Sequence, residues 1–90
     1  HPTSAELIAW YRAIAQLYID IDRFALAEPL LKKVITLKEN SLGSVNEDLA
    51  DYLDEVSAAF SAQGKHTQAE ELLQRSVKIR EELYGVSHLN

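Results

Sequence analysis

Four carboxylates lie close together in the middle of the chain, and they are the first residues whose types and spacing could do chemistry. Asp48, Asp51, Asp54 and Glu55 recur at about three-residue spacing. On a helix, this spacing places the acidic side chains in a line along one face. A hard cation such as Ca²⁺ needs oxygen ligands that converge from several directions, which such a line does not provide. We therefore interpret the segment as a solvated acidic face that favours a ligand of basic character.

The other candidates for catalysis or metal binding are isolated residues. His1, His66 and His88 occur singly, and no H-E-x-x-H motif pairs any two of them. No serine lies in a G-x-S-x-G motif, and no glycine-rich phosphate loop is present. The chain has no cysteine, which excludes thiolate chemistry and disulfides. The sequence thus predicts no catalytic residue, no metal and no cofactor, and we expect a protein that is not an enzyme.

Charge and hydropathy exclude two classes of partner. The chain has 14 acidic and 9 basic residues, a formal net charge of −5, whereas a nucleic-acid binder needs a basic stripe. No basic face borders an apolar stripe, and no apolar run approaches the roughly 20 residues of a membrane span. The lack of cysteine fits a cytoplasmic chain. The lack of methionine, even at position 1, predicts a fragment of a longer protein.

An internal repeat with an offset of 42 residues organises the sequence. Identical pairs are Ala27-Glu28 with Ala69-Glu70, Leu30-Leu31 with Leu72-Leu73, Glu39 with Glu81, and Gly43 with Gly85. Conservative pairs such as Tyr18 with Phe60 lie between them. Most of the shared positions are apolar, small or glycine, which are the positions that packing dictates. The repeat therefore predicts two copies of one structural unit.

Each copy is predicted to form two helices, because apolar residues recur at helical spacing and strong helix formers dominate. The predicted helices span residues 4–21, 25–42, 46–63 and 67–84, with no strand between them. Capping boxes are predicted for Thr3 with Glu6, Ser44 with Glu47, and Thr67 with Glu70. Gly43 and Gly85 are predicted to end helices. Pro29 requires either a helix that starts near Ala25 or a kink.

The repeated motifs resemble a known family. Arg23-Phe24-x-x-Ala27-Glu28-Pro29-Leu30-Leu31 in the first copy and Ala69-Glu70-x-Leu72-Leu73 in the second are similar to the 42-residue tetratricopeptide repeat of the kinesin light chain type. The resemblance implies an all-α, right-handed solenoid of two stacked antiparallel helical hairpins. Repeat 1 would span about 4–43 and repeat 2 about 46–85, with residues 86–90, including His88, as the start of a third repeat.

The resemblance also implies a partner-binding groove along the first helix of each hairpin, the A helix. Its expected lining is Ala9, Arg12, Gln16 and Ile19 in the first copy, and Asp51, Asp54, Glu55, Ala58 and Ala62 in the second. Repeats of this type often carry paired asparagines one turn before the A-helix aromatic. Arg12-Ala13 and Asp54-Glu55 stand at those positions here, so the groove is expected to be charged.

Packing roles are predicted for the aromatic and small residues. We interpret Trp10, Tyr11 and Tyr52 as inter-helix packing rather than as ligand-stacking side chains. Tyr18 and Phe60 are expected in the core, as the family pattern implies. Alanine recurs at the repeat-equivalent positions 27 and 69, which predicts close helix–helix contacts there.

Two functional hypotheses remain open at this point. The first is a protein-interaction scaffold whose groove binds a peptide or helix, and substitution of Arg12 or Asp54 would weaken that binding. The second is an assembly element that stacks on copies of itself or on further repeats. Apolar side chains near the C-terminal end, among them Val77, Tyr84 and Val86, are expected to favour such association at high concentration.

Overall fold

The computed structural model describes residues 2–85, and the backbone in this range consists of four α-helices joined by turns. They are α1 (Ser4–Asp20), α2 (Phe24–Leu42), α3 (Glu47–Ala62) and α4 (His66–Tyr84). Each predicted helix end agrees with the structure to within one residue, and the all-α fold is confirmed. His1 and the proposed start of a third repeat, which contains Val86 and His88, lie outside the described residues.

The chain divides into two compact units, residues 1–41 and residues 42–90. The first unit holds α1 and all but the last residue of α2, and the second holds α3 and α4. This division falls between the two copies of the sequence repeat, so each unit corresponds to one predicted hairpin.

The two units make the same turn between their helices. In the first unit, Asp22 N donates to the Ile19 carbonyl at 3.0 Å and Arg23 N to the Tyr18 carbonyl at 2.7 Å. Forty-two residues later, Gly64 N donates to the Ser61 carbonyl at 2.9 Å and Lys65 N to the Phe60 carbonyl at 3.0 Å. The repeat is therefore present in the backbone hydrogen bonds as well as in the sequence.

Asp22 occupies a left-handed conformation that glycine occupies in the second copy. Its φ is 62°, and that of its counterpart Gly64 is 78°. For a residue with a side chain this conformation costs about 1 kcal/mol. We expect Asp22→Gly to stabilise the chain by at most about 0.5 kcal/mol, because the extra entropy of an unfolded glycine, about 0.5–1 kcal/mol, offsets most of the relieved strain. Urea unfolding followed by circular dichroism would measure this, and a loss of stability would show that the Asp22 side chain contributes more than its backbone strain costs.

Of the three predicted helix caps, that of α1 is confirmed, and those of α3 and α4 are wrong. Thr3 and Glu6 form the capping box: Glu6 N donates to Thr3 Oγ1 at 3.1 Å, and Thr3 N to Glu6 Oε1 at 2.9 Å. α3 is capped by Asn46 instead of Ser44, because its amide oxygen accepts from two free N–H groups, those of Asp48 and Leu49.

The predicted cap of α4 is wrong because this helix starts earlier than Thr67. It begins at His66, and Lys65 precedes it without a side-chain cap. Thr67 therefore lies inside the first turn, where its hydroxyl cannot serve as the N-cap. As a result, Glu70 is not used in a capping box.

Pro29 lies in the interior of α2, which begins at Phe24 and continues through it. The helix does start near the predicted position. Pro29 nevertheless lies beyond the first turn, whose N–H groups have no helical acceptor, so a hydrogen bond of the helix is lost there. The carbonyl that loses its donor belongs to Ala25. Both residues are exposed, so water can bind that carbonyl.

Most of the predicted packing residues are buried, and Trp10 is the main exception. Phe60, Leu49, Leu53 and Val56 of α3 are almost completely buried, and Tyr52 joins them. Ala27 and Ala69 are also buried, as the repeat predicted. The packing role predicted for Trp10 is wrong, because its side chain is 56% exposed. Tyr11 and Tyr18, also predicted to pack, are half-buried.

Candidate functional site

Two buried serines hold α3 and α4 close together. Ser57 Oγ donates to the Ala69 carbonyl at 2.8 Å, and Ser76 Oγ donates to the Ala50 carbonyl at 3.2 Å. Each bond joins one helix to the backbone of the other, which requires small residues at the contact. Alanine at positions 50 and 69 meets that requirement, since both residues are buried.

Arg80 of α4 binds two of the carboxylates predicted to form a free acidic face on α3. Arg80 Nη2 lies 2.5 Å from Asp51 Oδ1, and Nη1 lies 3.0 Å from Asp54 Oδ2. Arg80 also donates to Ser76 Oγ. Desolvation lowers the pKa of Arg80, but the charges and hydrogen bonds of Asp54 and Asp51 more than offset it, so the pKa is raised. The predicted acidic face is therefore still exposed at Asp51 and partly so at Asp54, but both carboxylates are paired with a cation of α4.

Tyr84 extends the contact between the two helices to the start of α3. A hydrogen bond to Glu47 is the main reason that the pKa of Tyr84 is raised, with smaller contributions from desolvation and from the Glu47 charge. The sign follows from the bond: the phenol donates to a carboxylate, which favours the protonated phenol. Glu47, predicted to cap α3, thus contacts α4.

An open groove of about 410 Å³ lies between α3 and α4 in the second unit. One wall comes from α3 and the other from α4. The lining residues are Asp54, Ser57, Ala58 and Ser61 of α3, and His66, Ala69, Glu70 and Leu73 of α4. The serine-to-backbone contact at Ser57 and Ala69 forms its base, so the close approach of the helices also fixes the shape of the groove.

The groove combines an apolar surface with carboxylates. Leu73 is 46% exposed, and Ala58 faces it from the other wall. The Asp54 carboxylate lines the groove and also forms the ion pair with Arg80. Glu70 is exposed and has no ion pair or hydrogen bond from its carboxylate to any of residues 2–85. His66 Nδ1 lies 3.4 Å from Ser61 Oγ at one end. Such a surface can hold an aliphatic side chain beside a cationic one.

The structure brings only some of the predicted α3 residues into this groove. Asp54 and Ala58 line it. Asp51 is not among the lining residues and pairs with Arg80 instead. Glu55 and Ala62 are exposed but also lie outside the lining.

The predicted residues of α1 lie on a separate surface of the first unit. Ala9, Arg12 and Gln16 are exposed, and Ile19 is half-buried. Gln16 Nε2 donates to Asp20 Oδ1 at 2.8 Å, within the same helix. Their role in partner binding stays a prediction.

Sequence reasoning missed the α4 wall of the groove. The sequence predicts Glu70 as part of a capping box and Leu73 only as a member of the repeat, and it indicates no role in ligand binding for either. The repeat did not supply the missing signal, because the predicted start of the second helix at residue 25 corresponds to Thr67 under the 42-residue offset.

The described residues contain neither a metal site nor a membrane-spanning helix. Among residues 2–85, no group of three or more His, Asp or Glu side chains is arranged to hold a metal ion. No helix in the same range has the length and hydropathy needed to cross a membrane.

Paired helices, a recurring turn and small residues at the helix contact define a helical repeat protein. The family model for the tetratricopeptide repeat matches residues 5–89, and the chain belongs to this family. Tetratricopeptide repeats are generally protein-interaction scaffolds. A search of curated proteins gave no significant match. The resemblance to the kinesin light chain type stays a prediction.

Proposed function

We propose that this chain binds a partner protein through the groove between α3 and α4. The ligand is a helix or extended peptide that carries an aliphatic side chain next to Lys or Arg. One observation carries the proposal: the half-exposed Leu73 lies beside Glu70, a carboxylate that no other described residue binds.

The two parts of the groove contribute differently to binding. Burial of one aliphatic side chain against Leu73 and Ala58 supplies about 1.5–3 kcal/mol. An exposed ion pair with Glu70 adds only about 0–1 kcal/mol, but it selects a cation and speeds the encounter. The net charge of −5 acts in the same direction at long range. We therefore expect a modest affinity that falls as salt is added.

Selection from a random peptide library displayed on phage, with the 90-residue chain as bait, tests the ligand class. We expect enrichment of aliphatic residues flanked by Lys or Arg. Binding of a selected peptide should weaken by roughly three- to thirtyfold in Glu70→Lys, because an exposed attraction of up to about 1 kcal/mol is replaced by a repulsion of similar size.

Glu71→Lys is the matched control, because it makes the same charge change at an exposed position of α4 outside the groove. An equal loss in both variants would show that only the overall charge matters. Enrichment of acidic peptides would contradict the proposal.

Self-association is a second candidate function, and a different observation favours it. Trp10, Ile14 and Leu17 of α1, and Ile21 directly after its last residue, are 56%, 41%, 62% and 61% exposed. They recur at helical spacing, so they form one apolar stripe, which we name the α1 stripe. Contiguous exposed apolar surface of this kind marks an interaction site in a soluble protein.

A further inference from the structure

We infer that His66 makes ligand binding in the α3–α4 groove depend on pH. The groove binds a cationic side chain when the imidazole is neutral and disfavours it when the imidazole is protonated. This inference rests on the proposed function, because it concerns the regulation of the same groove. Histidine is the side-chain type whose charge ordinarily changes between about pH 5 and pH 8, and His66 is the histidine that lines the groove.

His66 lies at the end of the groove that is nearest to the turn between α3 and α4. It is the first residue of α4, and it is exposed. Its Nδ1 lies 3.4 Å from Ser61 Oγ on the other wall. A hydroxyl can donate to a neutral imidazole nitrogen and can accept from a protonated one. The contact with Ser61 is therefore available in both charge states and keeps the ring at the groove.

The ring is a neighbour of the carboxylate that we propose for the cation of the ligand. Glu70 follows His66 by four residues, which places the two side chains on one face of α4, about 6 Å apart along its axis. Both residues line the groove. This separation is shorter than the screening length of about 8 Å at physiological salt. A charge on the imidazole therefore acts on a cation bound to Glu70.

The other charges around His66 do not replace this effect. Lys65 directly precedes it and is cationic at neutral and at mildly acid pH. On α3, the charged lining residue is Asp54, whose carboxylate is paired with Arg80 at 3.0 Å. Asp54 also lies seven residues before the serine that contacts the ring, about 10 Å along the helix. Of the two lining carboxylates, Glu70 is thus the one that a charge on His66 affects.

Protonation of the ring weakens binding in two ways. The imidazolium repels the Lys or Arg side chain of the ligand. It also competes with that side chain for the Glu70 carboxylate, as an i, i+4 partner on the same helix. Both effects act between exposed groups, so we expect the dissociation constant of a basic peptide to rise only about two- to fivefold. By linkage, binding in mildly acid solution must release protons from the chain.

Peptide binding measured at about pH 8 and at about pH 5.5 tests the inference. The probe is a library-selected peptide that contains Lys or Arg but no His, Asp or Glu, with both ends blocked, so its own charge is the same at the two pH values. The unchanged chain should bind it about two- to fivefold more weakly at the lower pH. His66→Gln should lose this difference, because glutamine gains no charge.

His66→Lys places a permanent charge where the protonated ring would carry one. At about pH 8, it should bind the peptide about two- to fivefold more weakly than the unchanged chain does. Thr67→Lys is the matched control, because it adds the same charge at the next position of α4, which is exposed and does not line the groove. Its effect should be smaller. Circular dichroism at both pH values checks that each variant folds.

Calorimetry provides a second readout that does not depend on the change in affinity. Titrations near pH 6.5, in two buffers that differ in ionisation enthalpy, measure the protons released on binding. The unchanged chain should release a fraction of a proton for each peptide bound, and His66→Gln should release less.

Equal dissociation constants at the two pH values, or a pH dependence that persists in full in His66→Gln, would overturn the inference. Either result leaves the proposed function standing when Glu70→Lys weakens binding at about pH 8 more than Glu71→Lys does. Equal losses in those two variants would instead overturn the proposed function, and this inference with it.

Discussion

Truncation of Leu53 to alanine is expected to lower the free energy of unfolding by about 2–5 kcal/mol, and the same truncation at Leu73 by less than about 1 kcal/mol. The chemical change is the same, but the surroundings differ. Leu53 is completely buried, so its loss leaves a cavity as well as removing buried apolar surface. Leu73 is 46% exposed, and solvent fills the space that it vacates.

Urea unfolding measures both variants against the unchanged chain. A chain of this size has a total stability of roughly 5–13 kcal/mol, so Leu53→Ala removes a large part of it. The fall in melting temperature should be about 4–8 °C per kcal/mol. Equal effects at the two positions would show that Leu73 is as well packed as Leu53, and that the apolar surface of the groove is not available to a ligand.

Ala69→Leu is expected to cost about 1–3 kcal/mol, because Ala69 is buried where α3 and α4 approach each other and a larger side chain would overpack that contact. Ala69 is 5% exposed, and its carbonyl accepts a hydrogen bond from the buried Ser57 at 2.8 Å. A leucine would push α4 away from α3 and break this bond, which leaves a buried hydroxyl without a partner at a further cost of about 1–3 kcal/mol.

Ala58→Leu provides the control for Ala69→Leu. Ala58 is exposed on α3, and a leucine there stays in solvent with little effect on stability. Thermal unfolding followed at 222 nm would compare the two variants. If Ala69→Leu melted at the same temperature as the unchanged chain, the two helices would not be in close contact at this position.

The fold could be predicted from the sequence because several local signals agree with one another. The 42-residue offset, the helical apolar spacing and the glycines at 43, 64 and 85 all point to the same helix ends. The two caps were predicted wrongly because a neighbouring residue or a neighbouring start position was equally suitable. Asn46 is as good a cap as Ser44, and the start of α4 one residue early moved Thr67 into the helix.

The site was less accessible to sequence reasoning because it depends on contacts between helices. The pairing of Arg80 with Asp51 and Asp54 joins residues 29 and 26 positions apart, and no local pattern in the sequence indicates it. The exposure of Trp10 could not be predicted from a local pattern either. The apolar periodicity of a helix is the same whether that face packs against a neighbour or faces solvent. The periodicity therefore predicted burial for Trp10, where the structure shows exposure.

The Arg80 contacts change the electrostatic view of the second unit. Two carboxylates line the groove, and because Arg80 binds that of Asp54, the one left for a ligand there is that of Glu70 on α4. The surface that we propose for a basic partner therefore combines both helices of the hairpin rather than the A helix alone. Substitution of Asp54 would disturb both the Arg80 contact and the groove, which makes Glu70 the cleaner position for a test.

Amide chemical-shift mapping tests whether the α3–α4 groove binds a basic, partly aliphatic peptide. The ¹⁵N-labelled chain would be titrated with a peptide from the library selection and with the same peptide in which Glu replaces each Lys and Arg. The concentration should be low enough for the chain to remain monomeric. We expect shifts concentrated at Ala58, Ser61, Glu70 and Leu73 with the basic peptide, and none with the acidic one. Shifts confined to α1, or equal responses to the two peptides, would contradict binding in this groove.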